Sequence, residues 1–309
     1  CCNLSDFSKD NALIYLVIIK MNVLVFNFFT YFNLVKILLR ISILISCAIV
    51  LLPIEIYAAG EYRAIGTRMM VPGLGGVSSI NSYSSSSNQA AMGFSTKSSV
   101  ATYYAHTGIA EGVNNFMALG QYHLKKGGTI GFTGSYFGYD LFNDKKIGIG
   151  YGLKLADFVS IGAQIDILNN KISGYESNTA VTFEIGTLFK INNKIQIGAH
   201  IYNPARVRYG KDSEERVPTV FRLGATYTTK EKIWVTGELE QDLDNNLAFR
   251  AGVDYKINST LTVRSGLVTY PLSGTLGVGI NYKSMQFDII GAYQKITGIS
   301  PQLGISYEF

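Results

Sequence analysis

From Lys97 to Phe309 the chain repeats one unit, about ten residues of alternating apolar and polar side chains closed by a turn, and it ends on an aromatic residue. Successive side chains of a strand point to opposite faces, so each unit makes a strand with one apolar and one polar side. The last unit is the clearest: Ile299, Pro301, Leu303, Ile305, Tyr307 and Phe309 share one parity, with Ser300, Gln302, Gly304, Ser306 and Glu308 between them. Leu247, Phe249, Ala251, Val253 and Tyr255 repeat this around Arg250, Asp254 and Lys256. An outward Leu beside an inward Arg suits a strand that separates bilayer from lumen. A soluble β-sandwich also alternates, but this repeat runs unbroken, glycine is abundant (32 residues), and Tyr and Phe gather near strand ends. The pattern predicts an all-β fold, an antiparallel transmembrane β-barrel.

The N-terminal third reads differently. Across the whole chain only 16% of residues are charged, against about a quarter in a typical soluble domain. The one continuous apolar stretch, Ile41 to Ala59, follows Lys36 and Arg40 and closes on the small residues Ala58 and Ala59. This is the order of a secretory signal peptide; Pro53 and Glu55 interrupt it, which argues against a retained membrane helix. Met21 is the first methionine, so residues 1–20 are read as upstream translation, 21–59 as the signal, 60–95 as an N-terminal plug or hatch and 96–309 as the barrel. Cys1, Cys2 and Cys47 all precede the cleavage point, leaving a cysteine-free mature chain suited to an oxidising compartment. The mature net charge of +4 is too mild to point to nucleic acid.

Turn chemistry divides the repeat into fourteen segments, near 98–105, 114–124, 127–139, 146–154, 157–168, 178–190, 193–202, 217–229, 231–240, 245–256, 259–270, 274–282, 285–294 and 299–309. An even number returns both ends of the barrel to one side. Connections alternate accordingly. Those expected on the periplasmic side are tight, such as Lys283–Ser284 and Ile257–Asn258, whereas 203–216, 169–177, 107–113 and 141–145 are expected as longer outer loops. Eight strands leave an interior filled by side chains and sixteen or more an aqueous channel, so fourteen need a filling. The Gly- and Ser-rich segment 60–95 is the candidate.

Charges at inward parity define the candidate lumen site: Arg222, Glu238, Glu240, Arg250 and Arg264, which sit on neighbouring strands and contact one another, a ligand or the plug. Glu238, Glu240, Asp242 and Asp244 share one parity up to a turn, Asp242 to Asn246, that has oxygen ligands for a cation but lacks a full loop signature, so a solvated turn is the better reading. His106, His123 and His200 lack metal-ligand spacing and have no acid and nucleophile beside them. No metal, cofactor or enzymatic activity is expected.

The run Gly73-Leu74-Gly75-Gly76-Val77, followed by Asn88-Gln89-Ala90-Ala91-Met92-Gly93-Phe94, resembles the N-terminal signature of the PorV/PorQ family, a relative of the FadL-type transporters. The resemblance continues through Ala156–Gly162 and Ile197–Asn203, and departs at Gln89, where Pro is usual. It implies a fourteen-stranded outer-membrane barrel of a Gram-negative bacterium, with Gly73, Gly75, Gly76, Asn88 and Ala90 as the hatch motif. It also implies that Tyr307 and Phe309 form the signal read by the barrel-assembly machinery. Two roles follow from it: an accessory or cargo-binding part of type IX protein secretion, contacting secretion components or cargo C-terminal domains, which is the favoured expectation, and FadL-like passage of hydrophobic small molecules, the alternative. Outer-membrane lipid is the expected surroundings in either case.

Overall fold

The computed structural model describes residues 70–107, 112–209, 216–230 and 232–309. The leader, the first ten residues of the candidate plug, and short stretches of three connections lie outside the described residues. Among the described residues no helix is long and apolar enough to cross a membrane. Fourteen strands do so instead: β1 (Ser99–His106), β2 (Asn114–His123), β3 (Thr129–Gly138), β4 (Phe142–Ala156), β5 (Val159–Ile172), β6 (Glu176–Lys190), β7 (Ile195–Tyr202), β8 (Val220–Thr229), β9 (Ile233–Asp242), β10 (Ala248–Lys256), β11 (Leu261–Thr269), β12 (Leu272–Tyr282), β13 (Met285–Gln294) and β14 (Gly298–Glu308). Each pairs antiparallel with its neighbours in sequence, and β1 pairs with β14, so the sheet closes without an edge.

Alternation sets the two faces. On β5 the outward Ile165 is 64% exposed while the adjacent inward Asp166 is 0%. Ile147, Ile149, Val181, Leu223, Phe249, Leu276 and Ile289 continue an outward apolar belt of the kind lipid solvates. A one-residue slip would turn every one of these inward and every lumen charge into hydrocarbon, which is why the register is strongly specified.

The seam is held at the chain end. Phe309 N donates to Ser98 O at 2.9 Å, Ser98 N donates to Phe309 O at 3.1 Å, and the Tyr307 and Phe309 rings stack with centroids 5.8 Å apart. Phe309→Ala removes an exposed ring at the closing strand and should lower the yield of folded barrel. The check is the fraction of heat-modifiable protein on a gel, and an unchanged fraction would contradict this role.

Two of the expected outer loops are strand. Residues 169–172 and 176–177 pair across β5 and β6 (Asn170↔Asn178, Ile172↔Glu176), leaving only 173–175 as the turn, and β4 already begins at Phe142, opposite β5. These extensions are polar, so the hydropathy signal stops at the edge of the apolar belt. The ladder continues, helped by Asn169 Nδ2 donating to Ser177, Thr179 and the Asn178 carbonyl at 3.2 Å each. The connection 203–219 is long as expected. Its described residues, 203–209 and 216–219, fold onto the inward faces of β5 and β6, where Tyr209 and Val217 pack with Leu168 and Ala180.

Candidate functional site

The chain from Met70 to Ser95 carries no charged residue and lies inside the barrel. It forms three single-turn helices, α1 (Pro72–Gly75), α2 (Ser84–Ser87) and α3 (Gln89–Met92). Its Gly and Ser content leaves many backbone groups without a regular ladder, and buried backbone polar groups need partners. The inward side chains of the wall supply them. Val77 N donates to Glu238 Oε2 at 2.7 Å, and Arg222 donates from Nη2 to Gly75 O at 2.8 Å and from Nη1 to Ser87 O at 3.2 Å. Arg250 Nη2 reaches Met70 O at 3.2 Å, Ser160 Oγ reaches Ala90 O at 2.7 Å and Thr133 Oγ1 reaches Ser85 O at 3.1 Å.

The Gly and Asn of the inner segment sit where only they fit. Asn88 caps α3, its Oδ1 accepting from Ala90 N at 3.0 Å while its Nδ2 donates to Val77 O at 2.8 Å and Thr187 O at 3.1 Å. Gly73 lies against the Asp254 carboxyl, where a Cβ would meet Oδ2 at 2.2 Å, and at Gly76 a Cβ would meet the Pro72 carbonyl at 2.4 Å. Gln89, the departure from the family signature, donates from Nε2 to Glu184 Oε2 at 2.9 Å, an anchor Pro would lack.

Wall glycines make room for this packing. A Cβ on Gly162 would lie 2.3 Å from Ala90 N and from the Gln89 carbonyl carbon, and on Gly198 2.3 Å from Val77 O. These neighbours are backbone and have no flexible end to yield. Gly162→Ala should therefore displace α3 while leaving the barrel assembled, read as new protease cleavage within 84–92 in folded protein. Outward Gly274 has nothing within 4 Å of a built Cβ, and Gly274→Ala should leave cleavage unchanged. Equal resistance in both variants would refute this account of the packing.

The five inward charges singled out in the sequence are all buried, and they fall into two groups. Arg222 pairs with Glu238 (Nη2 to Oε1, 2.7 Å), Arg250 with Glu240 (Nη1 to Oε2, 3.2 Å), and Arg222 Nε lies 3.7 Å from Glu240. Register gathers the four, with Arg222 directly opposite Glu240 and Arg250 opposite Glu238, but each arginine makes its shorter contact diagonally, to the other glutamate. Arg264 stands apart, bridging Asp254 at 2.7 Å and Asp288 at 3.0 Å. Asp242 turns its carboxylate to its own turn, accepting from Asp244 N and Asn245 Nδ2 at 3.2 Å each. Among the described residues no group of His, Cys, Asp and Glu is placed to hold a metal ion.

Sequence reasoning missed a third group, Lys146, Asp166, Glu184 and His200 on β4 to β7. Glu184 accepts from Lys146 Nζ at 2.5 Å and lies 2.9 Å from His200 Nε2, and Lys146 also lies 3.7 Å from Asp166. The signal was present, since each of the four holds inward parity on its strand.

The opposite side of the lumen carries an apolar patch set among inward polar residues, Asn115 and Gln121 of β2, Ser300, Gln302 and Ser306 of β14 and Asp288 of β13. Inward Ala101, Tyr103 and Ala105 of β1, Met117 and Leu119 of β2 and Ile290 of β13 pack against Met70, Val71, Leu74 and Tyr83 of the inner segment. A separate cavity of about 450 Å³ opens on the outward face between β6 and β10, lined by Ile185, Ile201, Phe221, Leu223 and Leu239 among others, and belongs to the lipid-facing surface.

No protein-family model and no curated protein matches the sequence. Solved structures do. A FadL homologue from Pseudomonas aeruginosa matches at 13% identity and a TM-score of 0.54, over 79% of this chain and 97% of that one. The monoaromatic hydrocarbon channel CymD matches at 9% identity and 0.55, over 78% and 98%, and the Pseudomonas putida toluene transporter TodX at 11% and 0.53, over 74% and 94%. These likenesses establish the fold, a closed fourteen-stranded barrel of the FadL type. They carry nothing specific to the PorV/PorQ resemblance.

Proposed function

We propose that this chain is an outer-membrane channel for small hydrophobic molecules, closed in the present conformation by its inner segment. The observation that carries this reading is the apolar patch on the lumen wall formed by β1, β2 and β13. A barrel that passes ions and sugars has a polar interior, whereas here Ala101, Ala105, Met117, Leu119 and Ile290 face inward and are covered by Met70, Val71 and Leu74. A solute that displaces those three side chains meets apolar wall on one side, while Arg222 keeps its hydrogen bonds to Gly75 O and Ser87 O and Glu238 keeps that from Val77 N. The neighbours are channels and transporters of hydrophobic compounds by their own descriptions, which favours this role by fold-level analogy. The secretion-linked role, expected first from the resemblance, has no observation that favours it.

The reading is tested by extracting the full chain from native membranes in mild detergent and analysing bound small molecules by mass spectrometry. A hydrophobic compound near stoichiometric level, lost in Met117→Asp with the barrel still folded, supports it. Copurification of cargo domains with no bound hydrophobe would instead restore the secretion role.

A further inference from the structure

The end of the barrel at which β1 begins and β14 ends is ringed by lysine. All six turns at that end carry or adjoin one: Lys125 and Lys126 join β2 to β3, Lys154 lies near the end of β4, Lys190 and Lys194 flank the β6–β7 turn, Lys230 and Lys232 the β8–β9 turn, Lys256 ends β10, and Lys283 turns β12 into β13. Lys97 leads into β1 and completes the circle. Against these ten stand Asp157, Glu231 and Glu308, a net of +7 at one rim of the barrel. Lys154 lies 2.6 Å from Asp157, whose carboxyl it holds below the ordinary range by hydrogen bond and charge, and Lys97 lies 3.3 Å from Glu308. The other end differs: Arg206, Arg208, Lys211 and Arg216 share one connection with Asp212, Glu214 and Glu215, and Lys145 follows Asp144.

Two features separate this ring from an ordinary solvated face. Lys230 and Lys283 have φ of 48° and 54°, left-handed positions that favour Gly or Asn, so lysine is kept there against the backbone preference. Directly above the ring lies a girdle of exposed aromatics, among them Tyr122, Phe158, Phe189, Tyr227, Tyr282 and Tyr307, the side chains that mark the headgroup level of a bilayer. Lysine stems reach along apolar surface and place the ammonium at the phosphates. A protein partner would touch one sector of the rim, whereas a planar leaflet meets all of it.

We infer that the lysine ring binds the phosphates of anionic phospholipids in the leaflet at the terminal end, selecting them over zwitterionic lipid as the barrel's first lipid shell. The inference rests on the membrane reading of the barrel but not on what passes through it. A failed solute experiment beside intact lipid selection would sink the transport reading alone.

The test uses the full chain in phosphatidylcholine vesicles with spin-labelled phosphatidylglycerol or spin-labelled phosphatidylcholine as probe, reading the motionally restricted fraction of each. Phosphatidylglycerol should associate about five-fold more strongly at low salt. The preference should vanish near 1 M salt, where screening acts within about 3 Å. A variant with Lys125, Lys126, Lys194, Lys230, Lys232 and Lys283 all changed to Gln should lose it. Changing Lys145, Lys171 and Lys295 to Gln at the other end should not. Should the six-site variant fail to fold, the salt titration of the unmodified protein decides. Equal association of the two lipids overturns the inference, and equal association with lysine-directed cross-linking of an acidic polypeptide in native membranes would assign the ring to a protein.

Discussion

Deleting residues 70–95 is expected to turn a silent barrel into one that carries steady ionic current. Fourteen strands enclose more space than their own inward side chains fill. In the intact protein that space holds α1 to α3, with Ala90, Ala91 and Met92 at 0% exposure and Val77 equally buried. Without the segment, Glu184, Arg222, Glu238 and Arg250 would line a hydrated pore. In planar bilayers the intact protein should show little or no conductance and the deletion, once shown to be folded by heat-modifiable mobility, a stable open level. Open-porin conductance from the intact chain, or a folded deletion that stays silent, would refute closure by this segment.

The second large effect concerns Glu238. Its Oε1 pairs with Arg222 at 2.7 Å and its Oε2 accepts from Val77 N at 2.7 Å, in a residue 1% exposed. Removing one partner of a buried pair leaves the other charge desolvated, here with only the longer 3.7 Å contact from Arg222 Nε to Glu240, a loss of roughly 3–5 kcal/mol. Glu238→Ala should therefore lower the stability of the folded barrel to urea by about that amount and free the Val77 turn, raising conductance above that of the intact protein. Glu238→Gln retains an acceptor for Val77 N and should fall between the two. A change below about 0.5 kcal/mol, the range of ordinary surface substitutions, would show that the network carries no weight.

Much of the fold was legible because a lipid-facing strand allows one parity only. The fourteen segments emerged from alternation together with turn chemistry, and the outward set around Phe249 and Leu303 is exposed while Arg250 and Gln302 are buried. Legibility ended where the lipid did. Residues 169–177 and 141–145 became polar above the apolar belt and read as loop although the ladder goes on. Inward parity identified Arg222, Glu238, Glu240, Arg250 and Arg264 individually. Which of them meet is a matter of register, and Arg264 joins Asp254 and Asp288 because β10, β11, β12 and β13 are neighbours. Lys146 and Glu184 are separated by β5 in sequence and touch only across it. The apolar patch of the lumen wall was hardest to read, since Ala101, Ala105 and Met117 look like any apolar strand residue until closure assigns their parity to the inside.

The most direct measurement is the initial rate of solute entry into cells whose lipopolysaccharide layer slows apolar compounds, comparing toluene with arabinose. Expression of the full chain should raise toluene entry several-fold and leave arabinose at background, and Met117→Asp in a folded barrel should remove the gain. Arabinose entry at porin-like rates, or toluene entry no faster than in cells without the protein, would contradict a hydrophobic path through this lumen.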